Sequence, residues 1–236
     1  MTDNSPFLDI GLLEIDFEPL APWRALRRAQ TIDDVTSVIL DYGWAGPMLG
    51  LLLHILVRTI LIYVMEPIVI ISGYLFDGAA VTMIVVFVYT SSFVLLAVFL
   101  YFGGVGAIAG FLSDERQYSP AVFKLGGYVS VLFIPLFLIG IVLALTVSGE
   151  PYPLPSEPTA NATTIATELA QYRREILTTP QMYAIRVLRM VGWAVIGFLI
   201  LPIVGRLYEL DRKRSVLSVL PPTMAALFLS GITWQV

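Results

Sequence analysis

His54, Arg58 and Glu66 are the residues whose types and spacing best suit chemistry, and all three lie inside one long apolar run. His54 and Arg58 are four residues apart, so a helix places them on one face. Glu66 follows eight residues after Arg58, about 80° further round an ideal helix. Ionisable groups within a membrane helix face the bundle interior or a watery cavity. A proton or ion relay, or a contact to an anionic lipid, is the functional reading of this cluster. In the structural reading, Arg58 pairs with Glu66 or a neighbouring helix, or snorkels towards the interface.

Little else in the sequence could do chemistry. There is one histidine and no cysteine. That excludes paired-histidine metal motifs, thiolate sites, disulfides and cysteine nucleophiles. Glycine-rich phosphate loops, dinucleotide fingerprints and the GxSxG elbow are absent. No catalytic residue, metal site or cofactor is expected, and an enzyme is not. The net charge of −4 argues against nucleic acid as a partner.

The elements that must hold these residues are membrane helices. Of 236 residues, 57% are hydrophobic and 14% charged. A soluble domain of this size has no interior large enough for that much apolar surface, so the surplus needs lipid as solvent. The expected fold is all-α: a polytopic helical bundle of about five transmembrane helices, at 46–76, 80–102, 126–148, 187–207 and 215–233. Each run is close to the ~20 residues that cross the hydrocarbon. The first is longer and interrupted by its polar residues. One tilted, kinked helix and a re-entrant or interfacial first half are both open there. The turn that follows falls near Asp77-Gly78. The first residues lack a basic segment before an apolar core, so no cleaved leader is expected.

Residues 1–45 read as a cytoplasmic segment. Leu13, Ile15 and Phe17 alternate with Glu14, Asp16 and Glu18, the period of an extended piece. Pro22 opens a short helix, and Thr31 with Asp34 forms a capping-box start for an amphipathic one. Short-loop cations set orientation. Arg24, Arg27, Arg28, Arg116, Lys124, Arg206, Arg212, Lys213 and Arg214 all fall on one side of a five-span layout. The N-terminus is then cytoplasmic and the C-terminus outside. The outside loop, 149–186, starts proline-rich with Pro151, Pro153, Pro155 and Pro158. It continues as an amphipathic helix with Ile165, Leu169, Tyr172 and Ile176 at helical spacing. Asn161 begins a glycosylation sequon there.

Small residues point to helix packing. Gly106 and Gly110 form a GxxxG, as do Gly46 and Gly50. Packing within one bundle and a homo-oligomer face are the two readings, and a flexible exit from the second helix is a third for Gly103–Gly110. Tyr89, Thr90, Ser91 and Ser92 sit mid-helix, where hydroxyls bond the preceding turn. Trp44, Trp193 and Trp234 read as interfacial anchors. Pro135, Pro202 and Pro221-Pro222 should kink their helices.

Three stretches together resemble the Yip family of integral membrane proteins. In the first, DYGWAGPMLGLLL, Asp41, Gly46 and Pro47 match the family's acidic residue and Gly-Pro at the mouth of its first helix. The second runs from FGGVGAIAGF to YSPAVFKLGGYVSVLFIPLFLIG, where Gly127, Tyr128 and Pro135 match the Gly-Tyr…Pro third helix. The third, WAVIGFLILPIVGRLYELDRKRSVLSVLPP, looks like the prokaryotic branch. The Asp-to-Gly-Pro spacing is longer than in eukaryotic members, and the 149–186 loop is larger. The resemblance covers roughly 40–236 and implies a non-enzymatic scaffold or trafficking-type protein of the cell membrane. Its partners would be the lipid bilayer and a membrane or cytoplasmic protein, met inside by the 1–45 segment and the loop carrying Arg206, Arg212, Lys213 and Arg214. A small transporter or channel component using His54, Arg58 and Glu66 is the alternative.

Overall fold

The computed structural model describes residues 19–69, 79–114, 119–147 and 162–232. Among them there are helices and no strands. The alternation at Leu13–Glu18, the Asp77-Gly78 turn, Arg116, the prolines of 151–158, Asn161 and Trp234 lie outside the described residues.

Two short helices precede the membrane bundle. α1 (Ala21–Arg28) opens with Pro22 in its first turn. α2 (Ile32–Asp41) starts on the expected capping box. The Asp34 backbone N–H donates to the Thr31 hydroxyl, and the Thr31 N–H donates back to the Asp34 carboxylate. The Gln30 N–H donates to the same carboxylate, and these donors hold its pKa below the ordinary value. A lowered carboxylate pKa stabilises the fold above the unfolded value, and the contribution is lost as pH falls through the folded one.

Among the described residues, four helical segments are long and apolar enough to cross a membrane: Ala45–Met65, Ala80–Leu112, Ala121–Leu145 and Pro180–Leu207. The chain is therefore a multi-pass, all-α membrane protein. The expected count of five is corrected to four. The fifth segment is helical, as α9 (Arg212–Ile232), but it is less apolar. Its bundle-facing stripe is hydroxylic, with Ser215, Ser218, Thr223 and Ser230 buried. Its other face exposes Leu217, Leu220, Met224 and Phe228. Averaging a polar inner stripe with an apolar outer one lowers the hydropathy, although α9 packs antiparallel to α8 (Pro180–Leu207) and against α4 (Ala79–Leu112).

Several boundaries also move. α3 (Ala45–Val69) is one continuous helix through Glu66 and Pro67, so the re-entrant first half is not formed. α4 runs on through Gly103, Gly104, Gly106 and Gly110, so that stretch is helix, not a loose exit. Neighbours cover its small residues: a Cβ on Gly103 would meet the Phe123 ring at 3.7 Å, and one on Gly104 would meet Pro222 at 3.5 Å. At 34 residues α4 is about 50 Å long, more than the hydrocarbon thickness. α8 begins at Pro180 rather than 187, because proline suits the first helical turn. The 149–186 segment thereby contains α7 (Ala162–Leu177) and the first turns of α8.

The third crossing is bent. α5 (Ala121–Val129) passes through a 3-10 turn at Ser130–Leu132 into α6 (Phe133–Leu145). Pro135 has no N–H to offer the Val131 carbonyl, and its ring clashes there, so the helix tightens just before it.

Cations close helix ends at one end of the bundle. Lys124 donates to the Tyr42 and Leu40 carbonyls at the end of α2, at 2.7 and 3.4 Å. Arg214 donates to the Leu112 carbonyl at the end of α4 and pairs with Asp114 at 2.7 Å. Arg206 pairs with Asp33 at 2.6 Å. The Tyr208 hydroxyl donates to the Ser119 carbonyl at 3.2 Å. The segments that the charge bias grouped on one side thus meet at one end.

The α8–α9 turn closes that end. Glu209 is left-handed, with φ 53°, and the Leu210 N–H donates to the Gly205 carbonyl at 2.8 Å. This is a Schellman closure with glutamate where glycine is usual. Asp211 then caps α9 by accepting the Arg214 N–H at 2.7 Å. Glu209→Gly relieves the left-handed strain and should raise stability by up to about 1 kcal/mol. Thermal unfolding in detergent checks this, with Asp211→Ala as the opposite control, expected to lose about 1 kcal/mol.

Candidate functional site

The site grows from one close helix approach. Lipid offers apolar helices as good an environment as one another does, so association depends on packing and on polar contacts. α3 and α5 meet through residues with almost no side chain. A Cβ on Gly127 would stand 2.5 Å from the Pro47 carbonyl oxygen and 2.6 Å from the Pro47 ring. A Cβ on Gly50 would strike the Gly127 carbonyl, and one on Gly46 would lie 3.0 Å from the Tyr128 hydroxyl. The Trp23 indole N–H donates to the Gly46 carbonyl at 3.2 Å, and its ring meets Tyr128 edge-on at 5.1 Å. Gly46, Pro47, Gly127 and Tyr128 therefore converge in one contact that locks α1, α3 and α5. Pro135 is exposed beyond the bend, and Asp41 is exposed within electrostatic reach of Lys124.

That contact sets the register of the next two turns of α3. His54 and Arg58 both face the bundle interior, 5% and 6% exposed. The Ser130 carbonyl lies in the 3-10 turn, where it accepts the Phe133 N–H and has a lone pair to spare. His54 Nδ1 reaches it at 3.2 Å. A carbonyl only accepts, so Nδ1 carries the proton in the neutral ring. Nε2 is then an acceptor, and it has no hydrogen-bond partner among the described residues. The ring packs against Phe133 and Phe137, at 5.1 and 5.2 Å between centroids.

A further charged residue joins this cluster. Arg189 of α8 is 5% exposed and lies within electrostatic range of Arg58 and Arg186. Its guanidinium donates to the Ser230 carbonyl in the last turn of α9 at 3.1 Å. The last carbonyls of a helix lack intrahelical partners and carry the negative end of its dipole, so a cation there is favourable. His54, Arg58, Arg189 and Ser130 enclose about 20 Å³ of space together with apolar side chains, Trp193 among them. That is room for one water molecule.

The structure places the remaining site residues as follows. Glu66 lies on α3, and its side chain is outside the described part. Gly106 and Gly110 are buried on α4. Of the basic loop, Arg206 and Arg214 are engaged with Asp33 and Asp114, whereas Arg212 and Lys213 are exposed. The Ser91 and Ser92 hydroxyls donate to the preceding turn at 2.7 and 2.9 Å. Trp193 is not an interfacial anchor. It is 6% exposed in the core, against Tyr101 and Phe133, whereas Trp44 is 49% exposed at the start of α3. Arg189 carried a readable signal, an arginine in the apolar run VLRMVGWAVIG, obscured by its nearness to the expected start of that span at 187.

No family model matches the chain, and neither a curated protein nor a solved structure is found similar to it.

The geometry gives two predictions. Arg189→Met leaves the Ser230 carbonyl without its charged donor in a dry setting. It should lower the stability of the α8–α9 pair by about 1.5–3 kcal/mol, read by thermal unfolding in detergent. Gly127→Ala overpacks the α3–α5 contact and should cost about 1–3 kcal/mol, whereas Gly103→Ala, with ordinary clearance, should change stability little.

Proposed function

We propose that the protein is a Yip-like, non-enzymatic scaffold of the cell membrane that works by contact with proteins and lipids. The observation that carries this reading is the closure of the polar cluster. The space beside His54 takes one water, and the Arg189 guanidinium donates to the Ser230 carbonyl at the end of α9. A conduit needs polar groups that meet a passage, and these are packed behind aromatic rings.

The end of the bundle that gathers α2, the α4–α5 connection and the α8–α9 turn is the contact face in this reading. Positive short-loop charge favours the cytoplasmic side for it. A groove of about 1110 Å³ runs there between α2 and the α8–α9 hairpin, with Ile32 and Leu40 exposed along it. Arg212 and Lys213 stand at the same end. Gly106 and Gly110, buried within α4, fit packing inside one bundle better than a homo-oligomer face.

A transporter or channel component is the second reading. The His54 Nε2 without a hydrogen-bond partner among the described residues favours it. Two experiments separate the readings. Purified protein in liposomes should pass protons, potassium and chloride no faster than empty liposomes. Affinity purification from native membranes should recover a stable partner, lost when Ile32→Glu and Leu40→Glu disrupt the groove. Ion flux abolished by Arg58→Leu would contradict the scaffold.

A further inference from the structure

The arginines of the cluster continue beyond it, towards the end of the bundle opposite the basic loop. Arg186 and Arg189 are three residues apart on α8, near enough in angle to share a helix face. Arg189 feels the charges of both Arg186 and Arg58. Arg174, exposed on α7, stands with half-buried Arg186 over a concavity of about 680 Å³ where α7 meets α8. A row of cations therefore runs from the bundle interior, through Arg58 and Arg189, to Arg186 and Arg174 at the mouth.

Its depth in the membrane follows from α8. The candidate span Pro180–Leu207 has 28 residues, more than the ~20 that cross the hydrocarbon, so its first turns, which carry the concavity, suit the headgroup level. The exposed Tyr183 ring at its rim suits that boundary. Below the rim, Val187, Val191 and Val195 are exposed at four-residue intervals from Tyr183. Such positions form one ridge along a helix. The ridge leads from the cationic concavity into the lipid-facing side of α8.

We propose that this concavity binds the phosphate of an anionic phospholipid, with an acyl chain lying along the Tyr183–Val195 ridge. Guanidinium groups suit phosphate because their planar forks donate two parallel hydrogen bonds. Arg174 and Arg186 present two such groups to the concavity. The apolar ridge distinguishes a lipid from free phosphate, which has nothing to place there.

Native mass spectrometry of the full chain in detergent tests this, with dioleoyl phosphatidylglycerol and dioleoyl phosphatidylcholine as probes. The wild type should retain one phosphatidylglycerol at least five-fold more readily than phosphatidylcholine. The R174Q/R186Q variant should lose that preference, R174K/R186K should keep part of it, and R212Q/K213Q, at the other end, should keep all of it. Unchanged phosphatidylglycerol binding in R174Q/R186Q would overturn the proposal, as would equal retention of both lipids by the wild type. Displacement of the bound lipid by inorganic phosphate at millimolar concentration would overturn the lipid assignment.

Discussion

Helix ends need partners, and lipid supplies none. The last carbonyls of every helix are left over from its own ladder, and near hydrocarbon no water is available to meet them. In this protein a cation from another element meets three such ends. Lys124 closes α2, Arg214 closes α4 and Arg189 closes α9. Each contact matches positive charge to the negative end of a helix dipole and ties two elements that are distant in sequence. The bundle's assembly depends on these closures and on the glycine contact between α3 and α5.

This constraint changes the meaning of the charged residues. A buried arginine in a membrane helix suggests a pathway, because its burial is unfavourable and invites a functional explanation. Arg189 has a structural one in the α9 terminus. The basic loop divides in the same way. Arg206 and Arg214 pair at the surface with Asp33 and Asp114, whereas Arg212 and Lys213 face outward, where they can meet a partner or a headgroup.

Much of the fold was legible in the sequence because hydropathy and helix-start signals are local. The capping box at Thr31 and Asp34, the helix opened at Pro22 and the shared face of His54 and Arg58 are all set by spacing within one segment. The misread features depend on a neighbour. α9 looked like a fifth apolar span, but its Ser215, Ser218 and Thr223 are an inner stripe that only α4 and α8 give a reason for. Trp193 looked like an anchor until Tyr101 and Phe133 surrounded it. For Gly103–Gly110 the alternative of a flexible exit rested on its place at the expected helix boundary, and the structure continues α4 through it under Phe123 and Pro222. Arg189 went unmarked because it stands two residues inside the expected start of its span, and its partner, a backbone carbonyl, is displayed by no sequence pattern.

The central claim is that the polar cluster is sealed, with Arg189 tying α8 to α9 instead of lining a passage. The absence of native cysteine makes this directly measurable. A single cysteine at Ser130, beside His54, can be exposed to a membrane-impermeant thiol reagent in native membranes, with one at Lys213 as the exposed control. The account predicts no labelling at position 130 under conditions that fully label position 213. Labelling of both at similar rates would contradict it.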